Sequence, residues 1–105
     1  AMAKKVVFIA GGGTGGHVYP GIAIAKAMKK INPEVEVIFV GTADGMETKI
    51  VPKEGFPLEL ISSGKFNFQG KPLLKLKSLL KIPVGIAQSL KLLLKHKPIC
   101  VIGVG

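Results

Sequence analysis

The chain carries the sequence VVFIAGGGTGGH at Val6–His17, where an apolar run ends in a glycine-rich loop closed by a histidine. The β-branched run Val6–Ala10 is typical of a buried strand, and the pattern of Val18–Ile31 is typical of a helix. Glycines between a strand and a helix leave backbone N–H groups and the positive end of the helix dipole directed at one point. The stretch therefore predicts a phosphate- or diphosphate-binding turn, with a glycine turn that binds no ligand as the alternative.

His17 is the titratable residue of this loop. If phosphate occupies the turn, the imidazole would lie beside it and could act as a general base or donate a hydrogen bond to the phosphate. A histidine that only bonds a neighbouring carbonyl at the helix start is the structural alternative. The other histidine, His96, lies between two lysines at a predicted helix end, and we expect it to be solvated and structural.

Strand-like and helix-like segments alternate along the rest of the chain. Proline and glycine mark most of their boundaries, and Pro83 is expected to break or kink the helical pattern that begins at Lys71. The predicted elements after Ile31 are a strand at Val35–Val40, a short helix at Asp44–Val51 with Asp44 near its N-cap and its end before Pro52, a strand at Leu58–Ile61, helices at Lys71–Ile82 and Gly85–His96, and a strand at Ile99–Gly103.

This alternation predicts an α/β fold, because apolar strands without an alternating pattern form parallel sheets covered by helices on both faces. Right-handed crossovers predict about four strands in the order 3-2-1-4, one half of a Rossmann-like sheet, and 105 residues have room for one domain. The carboxyl ends of the first and fourth strands would bring the glycine loop and Gly103–Gly105 to one edge. Because no helix follows the last predicted strand, we expect residues 1–105 to be a truncated domain.

The positive charge is concentrated in the second half of the chain. Residues 1–59 contain all six acids beside seven lysines, whereas residues 60–105 contain eight lysines and no acid. Every cation is lysine, and bidentate recognition of nucleic-acid bases favours arginine. We therefore expect an anionic surface as the partner of this half, and no nucleic acid.

Apolar side chains are interleaved with these lysines beyond what one buried helix face needs. The pattern predicts a segment that inserts among anionic lipid head groups, with a merely solubilised amphipathic helix as the alternative. The predicted membrane-contact residues are Phe66, Phe68, Leu73, Leu74, Lys75, Leu76, Lys77, Leu79, Leu80 and Lys81.

The glycine loop also fits the dinucleotide fingerprint G-x-G-x-x-G over Gly11–Gly16. That fingerprint needs an acid at the end of the second strand, where this chain has Gly41–Ala43 and Asp44 comes late. A P-loop fails as well, because His17 stands where a lysine would follow the last glycine. Half of a dinucleotide-binding oxidoreductase is one alternative. A non-catalytic phosphate- or membrane-binding module, or a piece engineered for folding studies, is another.

Four short motifs, spread over nearly the whole chain, resemble the N-terminal part of the MurG family of peptidoglycan glycosyltransferases. They are GGTGGHVYP at Gly12–Pro20, GTADGME at Gly41–Glu47, VPKEG at Val51–Gly55, and the pair Lys97-Pro98 leading into Val101–Gly103.

The resemblance implies a two-domain, inverting GT-B enzyme that needs neither metal nor cofactor. Such an enzyme transfers N-acetylglucosamine from UDP-N-acetylglucosamine to the muramyl-peptide on undecaprenyl diphosphate (lipid I), giving lipid II. In the family the glycine loops hold the acceptor diphosphate, which assigns Gly12, Gly13 and Gly103 to substrate binding. Thr14, Gly15 and Gly16 are also associated with the donor, and His17 is the candidate catalytic base. The hydrophobic and basic patch is expected to dock on the cytoplasmic face of the bacterial inner membrane.

The chain departs from the family pattern at its end. The second glycine motif begins at Gly103 and stops at Gly105, and neither a later asparagine nor the donor-binding domain is in the sequence. We expect the chain alone neither to bind the sugar nucleotide tightly nor to turn over. An exposed sheet edge recruits further strands, so a homodimer is a further expectation.

Overall fold

The computed structural model describes residues 5–11, 14–62 and 72–105. Four strands and three helices alternate along the chain. They are β1 (Val6–Ala10), α1 (Gly15–Ile31), β2 (Glu36–Gly41), α2 (Glu47–Lys53), β3 (Leu58–Leu60), α3 (Pro72–His96) and β4 (Cys100–Gly103).

The strands form one parallel sheet in the order β3-β2-β1-β4, which confirms the predicted fold class and order. β1 lies between β2 and β4, so that Phe8 pairs with Ile38 on one side and with Val101 on the other. All four strands run in the same direction. Every carboxyl end, and every loop that follows one, therefore lies at the same edge of the sheet.

Helices cover both faces of the sheet, as the sequence predicts. Successive strand side chains point to opposite faces, so Val7 and Ile9 pack with α1 and α2, whereas Val6 and Phe8 pack with Leu92 of α3. Full burial of a side chain such as Ile9 contributes about 1.5–3 kcal/mol. The face under α1 and α2 contains most of the buried apolar side chains and is the main core.

Three predicted helix boundaries are wrong. α1 begins at Gly15, three residues before the predicted start, because the carbonyl of Thr14 already accepts the first helical hydrogen bonds. α2 spans Glu47–Lys53, so Asp44 lies outside it and Pro52 lies inside it. A proline removes only one helical hydrogen bond, and near a short helix's end that loss does not stop the helix.

Pro83 does not divide the third helical pattern. The predicted helices Lys71–Ile82 and Gly85–His96 are one helix of 25 residues, with Pro83 inside it. Leucine and lysine, which have high helix propensity, occupy more than half of the positions of α3 and offset the cost of about 3 kcal/mol for an internal proline. β1 has the predicted bounds, and the other strands differ slightly: β2 is shifted by one residue, to Glu36–Gly41, β3 ends one residue earlier, at Leu60, and β4 begins one residue later, at Cys100.

His96 anchors the last turn of α3 to the sheet, so the prediction that it is solvated is wrong. Its side chain is 19% exposed, and its ring packs edge-on against Phe8 with the centroids 5.7 Å apart. His96 Nε2 lies 3.6 Å from Glu59 Oε1. Sequence alone does not show that α3 ends directly above β1, which is what removes this histidine from water.

The end of β4 touches the first residue of the glycine loop. Val104 N donates to Ala10 O over 2.8 Å, and Gly11 has a positive φ of 140°. A Cβ on Gly11 would overlap Val104 O and lie 2.9 Å from Val104 Cγ2. The backbones of the two loops therefore approach as closely as they do only because residue 11 has no side chain.

We expect Gly11→Ala to lower the free energy of unfolding by about 3 kcal/mol, because it combines a strained φ with a backbone collision. Gly55→Ala is the matched control, since Gly55 also has a positive φ, of 83°, but no atom within 4 Å of the added Cβ. It should cost about 1–2 kcal/mol. Urea unfolding followed by circular dichroism measures both, and equal losses would contradict a close contact at Gly11.

Candidate functional site

The carboxyl edge of the sheet brings together the end of β1, the first turn of α1 and the end of β4. Gly21 allows α1 to approach this closely, because a Cβ there would lie 3.2 Å from both Ile9 Cγ2 and Phe39 Cε2. The same Cβ would lie 3.4 Å from Val104 Cγ2. The first turn of α1 is thus held directly over the point where the two glycine loops meet.

The first turn of α1 presents backbone donors at this edge. Thr14 is extended, with φ −111° and ψ 158°, and its carbonyl accepts from His17 N and Val18 N, both over 3.1 Å. The Thr14 side chain makes no capping hydrogen bond, and none of the described residues accepts from the amides of Gly15 or Gly16. Two donors at the positive end of a 17-residue helix are suited to an anion.

His17 lies against the second glycine loop. A Cβ on Gly105 would overlap His17 Cδ2 and lie 2.6 Å from Cγ and 2.9 Å from Nε2. Gly105 also has a positive φ, of 65°. The imidazole therefore packs directly on the backbone at residue 105, which confirms that the two loops share one edge.

Tyr19 lies on the other side of the same turn. Its side chain is 58% exposed, and its Cε2 would lie 3.4 Å from a Cβ at Gly15. Lys26, two turns further on and on the same side of α1, bonds Glu54 at the end of α2 with its Nζ 2.7 Å from Oε2. His17 thus faces the loop after β4, whereas Tyr19 lies on the side of α1 from which Lys26 reaches Glu54. In the sequence Tyr19 is part of the motif GGTGGHVYP, and no pattern there assigns it a role.

The loop between β2 and α2, at the same edge, is built around a buried carboxylate. Glu47 is 2% exposed, and its Oε2 accepts from Thr42 N over 3.4 Å. A Cβ on Gly41 would lie 2.5 Å from Glu47 Cγ, and one on Gly45 would overlap Glu47 Oε1. This carboxylate lies where a dinucleotide fold presents an acid to a ribose, but it is folded into its own loop. The geometry therefore argues against the dinucleotide alternative.

Sequence reasoning missed Glu47 as a distinct feature. A signal was available in the spacing Gly41-x-x-x-Gly45-x-Glu47, which leaves room for a carboxylate between two residues without side chains. In the parts of the chain that the structure describes, no group of His, Cys, Asp and Glu side chains is arranged to hold a metal ion.

The described residues among the predicted catalytic residue, His17, and the predicted substrate-binding residues lie in two places. Thr14, Gly15, Gly16 and His17 lie together on the first turn of α1, and Gly103 ends β4, paired with Ala10 of β1. Gly12 and Gly13 lie outside the described residues.

Part of the predicted membrane segment is visible on α3. Leu76, Leu79, Leu80 and Lys81 are exposed there. Phe66 and Phe68 lie outside the described residues. For four further predicted residues the helical backbone is described but the side chains are not: Leu73, Leu74, Lys75 and Lys77.

Curated proteins similar to this chain share one name. The protein from Bdellovibrio bacteriovorus is 64% identical over 102 residues, which cover 97% of this chain and 28% of that protein. The protein from Myxococcus xanthus is 47% identical over 100 residues, 94% of this chain and 26% of its own length. Both are named UDP-N-acetylglucosamine--N-acetylmuramyl-(pentapeptide) pyrophosphoryl-undecaprenol N-acetylglucosamine transferase. The chain thus spans little more than a quarter of these relatives.

A solved structure gives the same result at the level of the fold. The crystal structure of Acinetobacter baumannii MurG superposes with a TM-score of 0.75 at 27% sequence identity, over 96% of this chain and 28% of that one. The family model described as the glycosyltransferase family 28 N-terminal domain matches residues 7–105. That match includes both glycine loops and, apart from Val6, all four strands, and the chain therefore belongs to the glycosyltransferase family 28 N-terminal domain family.

Proposed function

We propose that this chain forms the acceptor-side wall of an N-acetylglucosaminyltransferase. The enzyme would move N-acetylglucosamine from UDP-N-acetylglucosamine to the N-acetylmuramyl-pentapeptide carried on pyrophosphoryl-undecaprenol, the reaction for which the relatives are named. One observation carries the proposal: the amides of Gly15 and Gly16 stand at the head of α1, at the edge of the sheet where the ring of His17 packs on Gly105.

The diphosphate of the acceptor suits this point because its charge would be met by backbone donors and by the helix dipole. His17 would then lie beside the sugar attached to that diphosphate. As the 4-hydroxyl of the muramyl sugar attacks the anomeric carbon of the donor, His17 takes the hydroxyl proton and UDP leaves with the bonding electrons. The chain spans 28% of its Bdellovibrio relative, so it supplies one wall of such a site.

A chimera tests this proposal. We expect the Bdellovibrio relative to keep its transferase activity when this chain replaces its matching 102 residues, because the two are 64% identical there. His17→Ala in the chimera should lower kcat by about 10²- to 10⁴-fold through loss of the general base. The measurement is transfer of radiolabelled N-acetylglucosamine to a short-chain lipid I analogue.

His96→Ala in the chimera is the matched control, since His96 contacts Phe8 and Glu59 on the face of the sheet opposite α1; it should change kcat by less than threefold. A folded but inactive chimera would contradict the acceptor-side proposal. An active chimera that is indifferent to His17→Ala would contradict the base. The isolated chain is expected to show no transfer.

We also propose that the basic half of the chain docks on the cytoplasmic face of the bacterial inner membrane as a peripheral protein. Leu76, Leu79 and Leu80 are spaced to share one side of α3, and all three are exposed, as is Lys81. Apolar residues bordered by lysines, with no acid in residues 60–105, suit a surface of anionic lipid. No helix in the described ranges is long and apolar enough to cross a membrane.

Charge reversal tests the docking. The triple change Lys75→Glu, Lys77→Glu and Lys81→Glu should weaken co-sedimentation with phosphatidylglycerol vesicles at least tenfold, since each lysine near such a surface contributes about 1 kcal/mol. A matched control reverses three lysines of α1 and α2, Lys30, Lys49 and Lys53, and so changes the net charge equally. Equal loss in both variants would mean that only net charge matters and would contradict a docking site on α3.

Self-association stays a prediction. In the described structure β4 is an edge strand, and a second copy of the chain could pair with its open edge. Two exposed apolar residues accompany this edge, Ile99 just before β4 and Val101 within it.

A further inference from the structure

The first turn of α1 has two unlike sides. His17 packs on Gly105, the end of the loop after β4, and Gly21, one turn further on, approaches Val104 of the same loop. Tyr19 lies on the side of α1 where Lys26 reaches Glu54 of α2. The amides of Gly15 and Gly16 lie between these two sides. A diphosphate bound to them would therefore have His17 at one end and Tyr19 at the other.

The acceptor named for the relatives is also two-ended. Its diphosphate joins an N-acetylmuramyl sugar to an undecaprenol. If His17 takes a proton from the sugar, the sugar must extend toward the His17 side. The isoprenoid must then leave the diphosphate on the opposite side, where Tyr19 is exposed.

The chemistry and topology of the Tyr19 side agree with this orientation. An exposed phenol ring beside an anion site offers an apolar face, which suits a hydrocarbon chain. The ring also lies against Gly15 and so borders the donor amides directly. β3 lies on the α2 side of β1, and α3 passes the carboxyl end of β3, where a Cβ on Gly85 would overlap Ser62 O. An isoprenoid leaving past Tyr19 would thus leave on the side of the sheet where α3 passes its carboxyl edge.

We infer that the ring of Tyr19 contacts the first isoprene units of the acceptor lipid, on the side of the diphosphate site opposite His17. This assignment rests on the proposed function and deepens it by fixing the orientation of the acceptor. It makes Tyr19 a binding residue that distinguishes a prenyl diphosphate from a bare diphosphate.

The intrinsic fluorescence of the chain can detect this contact without a label, because Tyr19 is its one tyrosine and it has no tryptophan. The probes are inorganic pyrophosphate and geranyl diphosphate, the latter kept below its micelle concentration. We expect geranyl diphosphate to change the tyrosine emission and to bind about tenfold more tightly than pyrophosphate, through the apolar surface that the ring covers.

Calorimetry on variants completes the test. Tyr19→Ala should reduce the affinity ratio of the two probes from about ten to about one, and Tyr19→Phe, which keeps the ring, should restore it. Ile31→Ala is the matched control for non-specific prenyl binding, because Ile31 is 85% exposed at the far end of the same helix. It should keep the full ratio.

Each other outcome counts against the assignment. A ratio near one in the unmodified chain, a full ratio in Tyr19→Ala, or a Tyr19→Phe variant that behaves like Tyr19→Ala would overturn the ring contact while leaving the diphosphate site in place. Failure of pyrophosphate itself to bind would overturn the diphosphate site, and the Tyr19 assignment with it.

Discussion

The close approach of α1 to the carboxyl edge of the sheet is the constraint on which the site depends. Three glycines permit it. Gly21 lets the helix settle onto Ile9 and Phe39, Gly11 lets the first loop touch Val104, and Gly105 lets the backbone meet His17. At Gly11 and Gly105 a methyl group would overlap a neighbouring atom. The position of the amides of Gly15 and Gly16 is thus set by packing over the whole edge, and the loop alone does not fix it.

A site built this way separates two tasks. Binding of a charged group is assigned to backbone amides and to the helix dipole, which carry no net charge and need no side chain to move. Proton transfer and contact with the substrate's two ends are assigned to side chains on opposite sides of the same turn. The buried carboxylate of Glu47 holds the neighbouring loop through Thr42 N and the spaces at Gly41 and Gly45. Packing therefore stabilises the carboxyl edge of the sheet in the loop next to the site as well as in the site itself.

The sheet could be predicted from sequence because its signals are local. Apolar runs such as Val6–Ala10 and the handedness of crossovers determine which strands exist and how they are ordered, and both predictions are confirmed. The positions of Thr14, Gly15, Gly16 and His17 at the edge follow from the same local pattern. Errors occur where a local rule competes with its surroundings. Pro83 removes one hydrogen bond from α3, but the helix continues through it, because leucine and lysine occupy more than half of the positions of this helix.

Two of the features that sequence reasoning missed depend on contacts between distant segments. The side chain of His96 is mostly buried because α3 ends above Phe8, a residue some ninety positions earlier in the chain. The side of α1 on which Tyr19 lies is identified only by the ion pair of Lys26 with Glu54. Both relations need the assembled sheet. The burial of Glu47 is a local feature instead, because its carboxylate fills the spaces at Gly41 and Gly45, whose φ values alone reveal nothing unusual.

The central claim is that the amides at the head of α1 bind a diphosphate, and backbone NMR tests it most directly. On addition of inorganic pyrophosphate to the ¹⁵N-labelled chain, the amide signals of Gly15, Gly16 and His17 should show the largest shifts and saturate together. Shifts confined to the lysine-rich α3, or none at the head of α1, would contradict the claim.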